Sequence, residues 1–506
     1  MTSIANLAGA GPEDGGPGDD RQAPVIVWFR NDLRCGDHPA LSHAAGLGRP
    51  VLAVYVHDEE TNGVRPMGAA QKWFLHQSLS ALGDALSKAG CRLRIFQGKS
   101  ETVLGRLAEQ TGASSVYWLR RTGGAETAMD SRLKMRFQRA GIEARSFNGN
   151  LLHEPSRFLT GSGGPYKVYT PFFKALLRQG ELRPPLPAPK KLQAFNSEIS
   201  GTVSLDAIRL QPEKPNWAQG WETFWPAGEA GARELLAQFL QERSNGYSQG
   251  RDFPARNKVS RLSPYLRFGI LSPRQLWYAA RQHQEKGTIG DRDASKFLSE
   301  LGWREFCHHL LFHFPDLPVR NFQQKFDAFP WRSDETQQFE RWKKGQTGYP
   351  VVDAGMRELW QTGYMHNRIR MVAASFLVKH LLADWRIGER WFWDTLVDGD
   401  GASNPANWQW VAGCGADAAP YFRIFNPVLQ GRKFDPDGGY VRRFVPEIAN
   451  LPDKYLHAPW EAPKSVLETG GIVLGETYPE PMVDHATARQ RALAALKEVS
   501  GLSGNA

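Results

Sequence analysis

Apolar residues in the first third of the chain fall into short runs separated by stretches of helical spacing. "VIVWF" (25–29), "PVLAVYV" (50–56), "RLRIFQG" (92–98), "SVYWLR" (115–120) and "EARSFNG" (143–149) read as strands. Between them, "MGAAQKWFLHQSLSALGDALSKAG" and "ETAMDSRLKMRFQRAG" repeat apolar residues three and four apart and stop at Gly. Strands alternating with helices predict a doubly wound parallel sheet, an α/β domain over 23–150. No GxGxxG follows the first strand, so any ligand is expected at the carboxyl ends of the strands rather than on a dinucleotide fingerprint. Residues 151–232 are rich in Pro and Gly ("ELRPPLPAPKK", "FWPAGEAGA") and read as an interdomain connector with one short helix. From "ARELLAQFLQERSNGY" onward helical spacing prevails and period-two alternation is lost. An all-α domain is therefore expected over 233–485, with 486–506 as a C-terminal tail.

Composition narrows the class. A chain of 506 residues exceeds one core and suits two domains. No apolar run approaches the roughly 18 residues of a membrane span. Residues 1–22, "MTSIANLAGAGPEDGGPGDDRQ", lack the basic and apolar regions of a secretory signal and read as a disordered extension. Cys35, Cys91, Cys307 and Cys414 are far apart and form no CxxC, so no cysteine-built metal site is expected and a cytoplasmic location follows. A net charge of +9 permits nucleic acid as a partner, although a well-solvated surface would give the same number. Of the 17 Trp, 11 lie after residue 270, some in pairs.

Three stretches carry candidate chemistry. In "FLSELGWREFCHHLLFHF" (297–314), helical spacing gathers Phe297, Glu300, Trp303 and Arg304 on one face. An amphipathic edge with a salt bridge would look the same; the sharper reading is a ligand wall that stacks and hydrogen-bonds. His309 and His313 are four apart, but HExxH is absent and no third ligand is evident, so no metal is expected. "YMHNRIRMVAASFLVKHLLADWR" (364–386) reads as one helix with Asn367 and Met371 a turn apart. Arg370 opens a mostly apolar run and, if buried, needs a carboxylate, which Asp398 or Asp400 can supply. "DGDGASNPANWQW" (398–410) mixes carboxylates and amides with two indoles. On a helix Trp408 and Trp410 point about 200° apart, one inward and one toward a pocket.

With these residues in view, "VIVWFRNDLR" (25–34), "GGPYKVYTPFFKAL" (163–176), "RDFPA" (251–255), "SRLSPYLRFGILSP" (260–273), "ELGWREF" (300–306), "GYPVVDAGMREL" (348–359), "MHNRIRM" (365–371) and "YFRIFNP" (421–427) resemble the DNA photolyase/cryptochrome family. The blocks run in order from about 24 to 485 and are most similar to bacterial cyclobutane pyrimidine dimer photolyases of the class III branch. The resemblance implies a carbon–carbon lyase that repairs UV-damaged DNA in blue light, with reduced FAD as the electron donor and a flipped-out dimer as substrate. It implies FAD contacts at Tyr247, Ser260, Arg261, Leu262, Ser263, Phe297, Arg370, Asp398, Gly399, Asp400 and Asn404. Val259 stands where relatives often have Thr. Asn404 would face flavin N5 and, with Glu300, be catalytic. Trp303, Asn367, Met371 and Trp410 would hold the lesion, and Arg251, Arg304, Arg368 and Gln430 would meet the DNA backbone. Trp408, Trp385 and Trp331 would carry electrons during photoreduction, with Trp342 the neighbouring choice for the distal position. The class III likeness also implies 5,10-methenyltetrahydrofolate as antenna.

A His-His pair typical of relatives that repair (6-4) photoproducts is replaced here by His366-Asn367, which favours the cyclobutane dimer. The principal rival is a cryptochrome photosensor with the same fold and FAD. An electron-transfer flavoprotein or a simple nucleotide-binding α/β protein is the blander one. A monomer that binds damaged DNA and no membrane is expected.

Overall fold

Five parallel strands, β1 (Val25–Phe29), β2 (Val51–His57), β3 (Leu93–Gln97), β4 (Ser115–Leu119) and β5 (Glu143–Phe147), form one sheet in the order β3-β2-β1-β4-β5. The computed structural model describes residues 23–180, 182–332, 336–417 and 422–502, and the extension expected over 1–22 lies outside them. β1 is central, with Val25 opposite both Val51 and Ser115, and is buried throughout because helices cover both faces. Its period of two divides the core. Val25, Val27 and Phe29 pack with Leu41, Trp73 and Phe74, whereas Ile26 and Trp28 pack with Val103, Leu107, Met129 and Leu133.

The first of those cores runs on through Trp221 and Trp225 of the connector to Tyr265 and Phe297 of the helical domain. The two domains meet backbone to backbone at Gly269, which has φ +59° and whose Cβ would lie 2.2 Å from the Asn31 carbonyl oxygen. Only Gly fits there. The connector contributes a helix over Tyr169–Leu177 that lies on the long helix Asp291–His313 through Phe172 and Phe306.

A second core gathers helices Pro350–Thr362, Asn367–Ser375, Trp385–Thr395 and Ser403–Ala412 around Phe376, Leu377, Trp385 and Trp408. Two expectations change here. The helix anticipated across 364–386 is broken: after Asn367–Ser375 the chain makes a π-type turn at Phe376–His380. Leu382 then adopts φ +55°, and Asp384 caps a new helix at Trp385 by accepting the Arg386 N–H. The stretch taken as a tail over 486–506 contains a helix, His485–Leu502, whose Ala488, Ala492 and Ala495 are buried. Small side chains let it lie close to the π-type turn, where His485 Nδ1 and His380 Nε2 are 2.8 Å apart. Among the described residues no helix is long and apolar enough to cross a membrane.

Candidate functional site

The helix Asp291–His313 supplies one wall. Phe297 is buried against Phe239 and Tyr247, with ring centroids 5.0 and 5.9 Å away. One turn on, Glu300 accepts from Arg251 Nη2 and Lys296 Nζ, both at 2.9 Å. Trp303 follows, its indole stacked on Tyr169 with centroids 3.7 Å apart. Arg304, expected on the DNA side, turns inward instead. It donates to the carbonyls of Asn150 at 3.0 Å and Leu266 at 3.4 Å. Its neighbour Trp303 holds the outer position, and a residue next in sequence on a helix is rotated about 100° away.

Facing this wall is the start of helix Asn367–Ser375, capped by His366, whose Nδ1 accepts the Arg368 N–H at 3.3 Å. Asn367 is exposed and Met371 half-buried on the same side. Arg368 pairs with Asp252 at 2.8 Å and lies over the Phe434 ring, next to the strip that holds Arg251 and, on helix Pro427–Phe434, Gln430. The second wall thus has a cationic rim.

Between them sits a buried polar cluster. Arg370 donates through Nη2 to Asp398 Oδ2 at 2.9 Å and through Nε to the Met365 carbonyl at 2.7 Å. Ser263 Oγ donates to the same carboxylate oxygen at 2.6 Å. Of the two carboxylates the spacing left open, Asp398 is the partner. Burial opposes the charge on Arg370, yet Asp398 and Tyr364 hold its pKa above the ordinary value. Among the described residues Asp398 Oδ1 is buried without a partner, and so is Nε of Arg261, a residue held at φ +56°. Arg261 and Arg370 both lie over the Tyr364 ring, at 5.8 and 5.2 Å. Ser260 and Leu262 flank Arg261 at the start of the short helix Ser263–Arg267.

Asp400 goes elsewhere. Its Oδ1 accepts the N–H groups of Ala402 at 2.9 Å and Ser403 at 2.6 Å, capping helix Ser403–Ala412. Its Oδ2 lies 3.5 Å from His308 Nε2. Burial opposes ionisation, but His308, Arg267 and Arg304 hold the carboxyl well below the usual carboxylate range. Gly399 between the two aspartates accepts Arg267 Nε on its carbonyl at 2.6 Å. Asn404 commits its amide nitrogen to the Glu389 carbonyl and carboxylate at 2.9 and 2.8 Å, which leaves Oδ1 as its acceptor. Glu389 is in turn clamped by Arg65 at 2.7 and 3.0 Å, a pair that no sequence pattern announced.

The two indoles of "NWQW" do part. Trp408 is buried, 5.0 Å from Phe392 and 6.4 Å from Trp342 between ring centroids. Trp410 lines a small cavity, about 30 Å³, together with Trp303, Cys307, Asn407 and Asp417. Trp385 is fully buried and donates Nε1 to Asn321 Oδ1 at 2.8 Å. The segment bearing Trp331 is tied to the one preceding Trp385, since the Arg332 N–H donates to the Leu382 carbonyl at 2.8 Å. Trp342, the other choice for the distal position, touches Trp408 instead.

A larger cavity, about 590 Å³, opens between the domains at the carboxyl ends of β1, β2 and β4. Trp28 and Trp393 line it, each under a guanidinium: Arg30 at 4.2 Å and Arg65 at 4.1 Å. Arg121, Arg267, Arg304, His308 and Asp400 complete much of its polar surface. Trp28 Nε1, Arg30 Nε and Arg121 Nε are buried there without partners among the described residues.

Comparison with known proteins agrees with this arrangement. Residues 25–190 match a family model described as DNA photolyase, and 297–498 one described as the FAD binding domain of DNA photolyase. The chain is 53% identical over 479 residues to the deoxyribodipyrimidine photo-lyase of Agrobacterium fabrum, covering 95% of this chain and 98% of the relative. It is 36% identical to cryptochrome-2 of Arabidopsis thaliana, over 95% of this chain and 80% of that one. Among solved structures, a bacterial class III photolyase from Agrobacterium tumefaciens aligns with a TM-score of 0.91 at 51% identity, covering 99% of this chain and 100% of the other. A Synechocystis cryptochrome aligns at 0.85 and 31%, covering 94% and 99%.

Proposed function

Because this chain belongs to the DNA photolyase/cryptochrome family, in its class III branch, we propose that it is a deoxyribodipyrimidine photolyase, a cytoplasmic monomer that opens cyclobutane pyrimidine dimers in UV-damaged DNA under blue light. FAD binding follows from the family, and the residues present fit that group: Asp398 Oδ1 and Arg261 Nε, buried without partners among the described residues, are an acceptor and a donor that ask for polar partners. When bound and reduced, FAD supplies the photoexcited electron that splits the dimer. Asp398, held by Arg370 and Ser263, would accept from the flavin's polar edge, with Gly399 and Asp400 completing the loop. Tyr247, Ser260, Arg261, Leu262 and Ser263 would hold ribose and phosphates, Phe297 would pack against the cofactor, and Asn404 would offer Oδ1 to flavin N5.

On the substrate side, Glu300 would hydrogen-bond the dimer and stabilise the negative charge it carries when reduced. Trp303 and Trp410 would flank the flipped bases, with Asn367 and Met371 lining the pocket. Unstacking costs roughly a few kcal/mol and is least for damaged bases, which favours the lesion over intact pyrimidines. Arg251, Arg368 and Gln430 would meet the backbone. Trp408, Trp385 and Trp331 would deliver electrons for photoreduction. For the antenna, 5,10-methenyltetrahydrofolate suits the interdomain cavity: the aromatic walls offer stacking, and the guanidiniums match the carboxylates of a folate tail.

The observation that carries repair over a photosensor's role is that Trp303 and Trp410, from helices far apart in sequence, open onto one cavity with Glu300 a turn away. The test is illumination of the reduced protein with a thymine dimer in single- and double-stranded oligonucleotides. Dimer loss in light, none in darkness, and none in Glu300→Ala/Trp303→Ala is the expected result. Bound, photoreducible FAD without any repair would instead favour a cryptochrome photosensor or a different lesion.

A further inference from the structure

We propose that Tyr169, contributed by the interdomain connector, is a positioning residue for lesion recognition: it covers one face of Trp303 and fixes the plane of the indole, so that a flipped base can stack only on the other face. This rests on the repair reading above. The Tyr169 and Trp303 rings are nearly parallel, 7° apart with centroids at 3.7 Å. On its far side Tyr169 is stacked on Phe173 at 5.5 Å and 13°, so three rings form one pile. The pile is anchored at both ends of the tyrosine. Its hydroxyl donates to the Ser299 carbonyl at 2.7 Å, one turn before Trp303, and its backbone N–H donates to Asp417 Oδ2 at 3.2 Å. Asp417 itself lines the cavity shared by Trp303 and Trp410. Phe306 closes the indole edge at 6.0 Å and 75°.

The helix makes room for this pile at one residue. A Cβ on Gly302 would lie 2.4 Å from a Phe173 ring carbon and 3.0 Å from the Tyr169 hydroxyl, so a larger residue there would displace the Phe173 ring and crowd the hydroxyl that anchors the pile. Tyr169 is buried while Trp303 is half-buried, which leaves the indole as the exposed end of a rigid stack. A platform held in one orientation loses little conformational freedom when a base settles on it, and that is where its advantage over a free indole lies.

The test is a double-mutant cycle on the FAD-loaded protein. Binding of a thymine-dimer oligonucleotide and of its undamaged twin is measured by fluorescence anisotropy in wild type, Tyr169→Leu, Tyr169→Phe, Trp303→Ala and Tyr169→Leu/Trp303→Ala. Losing one aromatic pair is expected to lower the preference for the dimer about fivefold in Tyr169→Leu, with binding of undamaged DNA unchanged. Tyr169→Phe keeps the ring and should stay within about twofold of wild type. In the Trp303→Ala background, Tyr169→Leu should have no further effect. If Tyr169→Leu retains no flavin, Tyr169→Met, flexible and without a planar face, takes its place in the same cycle. Full dimer preference in the Leu or Met variant overturns the positioning role. So does a loss in Tyr169→Phe as large as in Tyr169→Leu, or an undiminished loss in the Trp303→Ala background. A wild-type protein with no dimer preference overturns the repair reading and this inference together, whereas the other failures leave repair standing.

Discussion

Replacing Arg370 by Leu tests whether the buried cluster at Asp398 is organised as described. The Asp398 side chain is 4% exposed and that of Arg370 24%, with 2.9 Å between them. At an effective dielectric of about 20, two charges some 4 Å apart attract by about 4 kcal/mol, before desolvation is subtracted. Removing one partner of a buried pair leaves the other uncompensated, at about 3–5 kcal/mol. Here the bond from Ser263 survives and Arg370 is partly hydrated, so about 2–3 kcal/mol is expected for Arg370→Leu. Asp398→Asn keeps an acceptor for Ser263 and should cost less, about 1–2 kcal/mol. In the double variant no isolated charge remains, so the two losses should fall short of their sum by about 1–2 kcal/mol. Urea unfolding at a fixed excess of FAD gives these numbers, and flavin retained after gel filtration gives an independent one. Both single variants should release flavin, because each disturbs the acceptor at Asp398 Oδ1. Strict additivity, or full flavin retention in Asp398→Asn, would refute the reasoning.

Other consequences can be checked separately. Trp408→Phe should slow photoreduction of the oxidised protein by at least tenfold and leave repair by chemically reduced enzyme within twofold, as followed by flavin absorbance and dimer loss; equal losses in both would deny it an electron-transfer role. Binding of DNA should weaken steeply with salt, and Arg368→Ala should reduce the slope of log affinity against log salt by about one, whereas Arg304→Ala, at a guanidinium turned inward, should leave the slope alone. Burial depresses His309, with His153 and His313 adding to it, and likewise His366 beside Arg251 and His380 beside His485, each to about 3. In the unfolded chain these residues protonate near 6.5, so their contribution to stability is complete above about pH 6.5 and is lost as pH falls from there toward 3. Unfolding followed across that window should take up as many as three protons, and His309→Gln should remove one of them.

What the sequence made legible follows from how local each signal is. The strands stand out because a central parallel strand is buried on both faces and so reads as an unbroken apolar run. Val25–Phe29 and Ser115–Leu119 are such runs. The break between His380 and Trp385 is hidden for the complementary reason. "FLVKHLLADW" keeps the apolar content of a helix, and only packing of His485–Leu502 against the π-type turn and the strained Leu382 reveal the change of direction. Arg304 shares helical spacing with Glu300, but a face about 100° wide does not say on which side of Trp303 the boundary falls. The expectation of a ligand at the carboxyl ends of the strands points to the interdomain cavity, but its lining was out of reach, since the walls join residues at the ends of β1, β2 and β4 to helices far apart in sequence, among them Asp291–His313 and Trp385–Thr395. Tyr169 lay within a quoted motif, yet nothing local says that its ring meets Trp303.

The loop from Asp398 to Ala402 ties these sites together. Two residues apart in the irregular segment before helix Ser403–Ala412, Asp398 and Asp400 part company, one turned to Arg370 and Ser263, the other to His308 and the interdomain cavity. Asp400 also caps the helix that carries Asn404, Trp408 and Trp410. Its carboxyl is held well below the ordinary value, against burial, chiefly by His308, so its contribution to stability is present above about pH 4 and disappears only in strong acid. A change at Asp400 therefore acts on the cavity directly and on the proposed lesion and electron-transfer indoles through the helix start. Asp400→Asn retains an acceptor for the Ala402 and Ser403 N–H groups and removes only the charge. It should disturb whatever binds in the cavity beside Arg267 and Arg304 while Trp408 stays in place. Asp400→Ala removes the cap as well, at about 1 kcal/mol, and should perturb both sites. Antenna absorbance and the rate of flavin photoreduction, measured on the two variants side by side, separate those effects. If both variants lose both signals equally, the loop is a single unit and the division drawn between its two carboxylates is wrong.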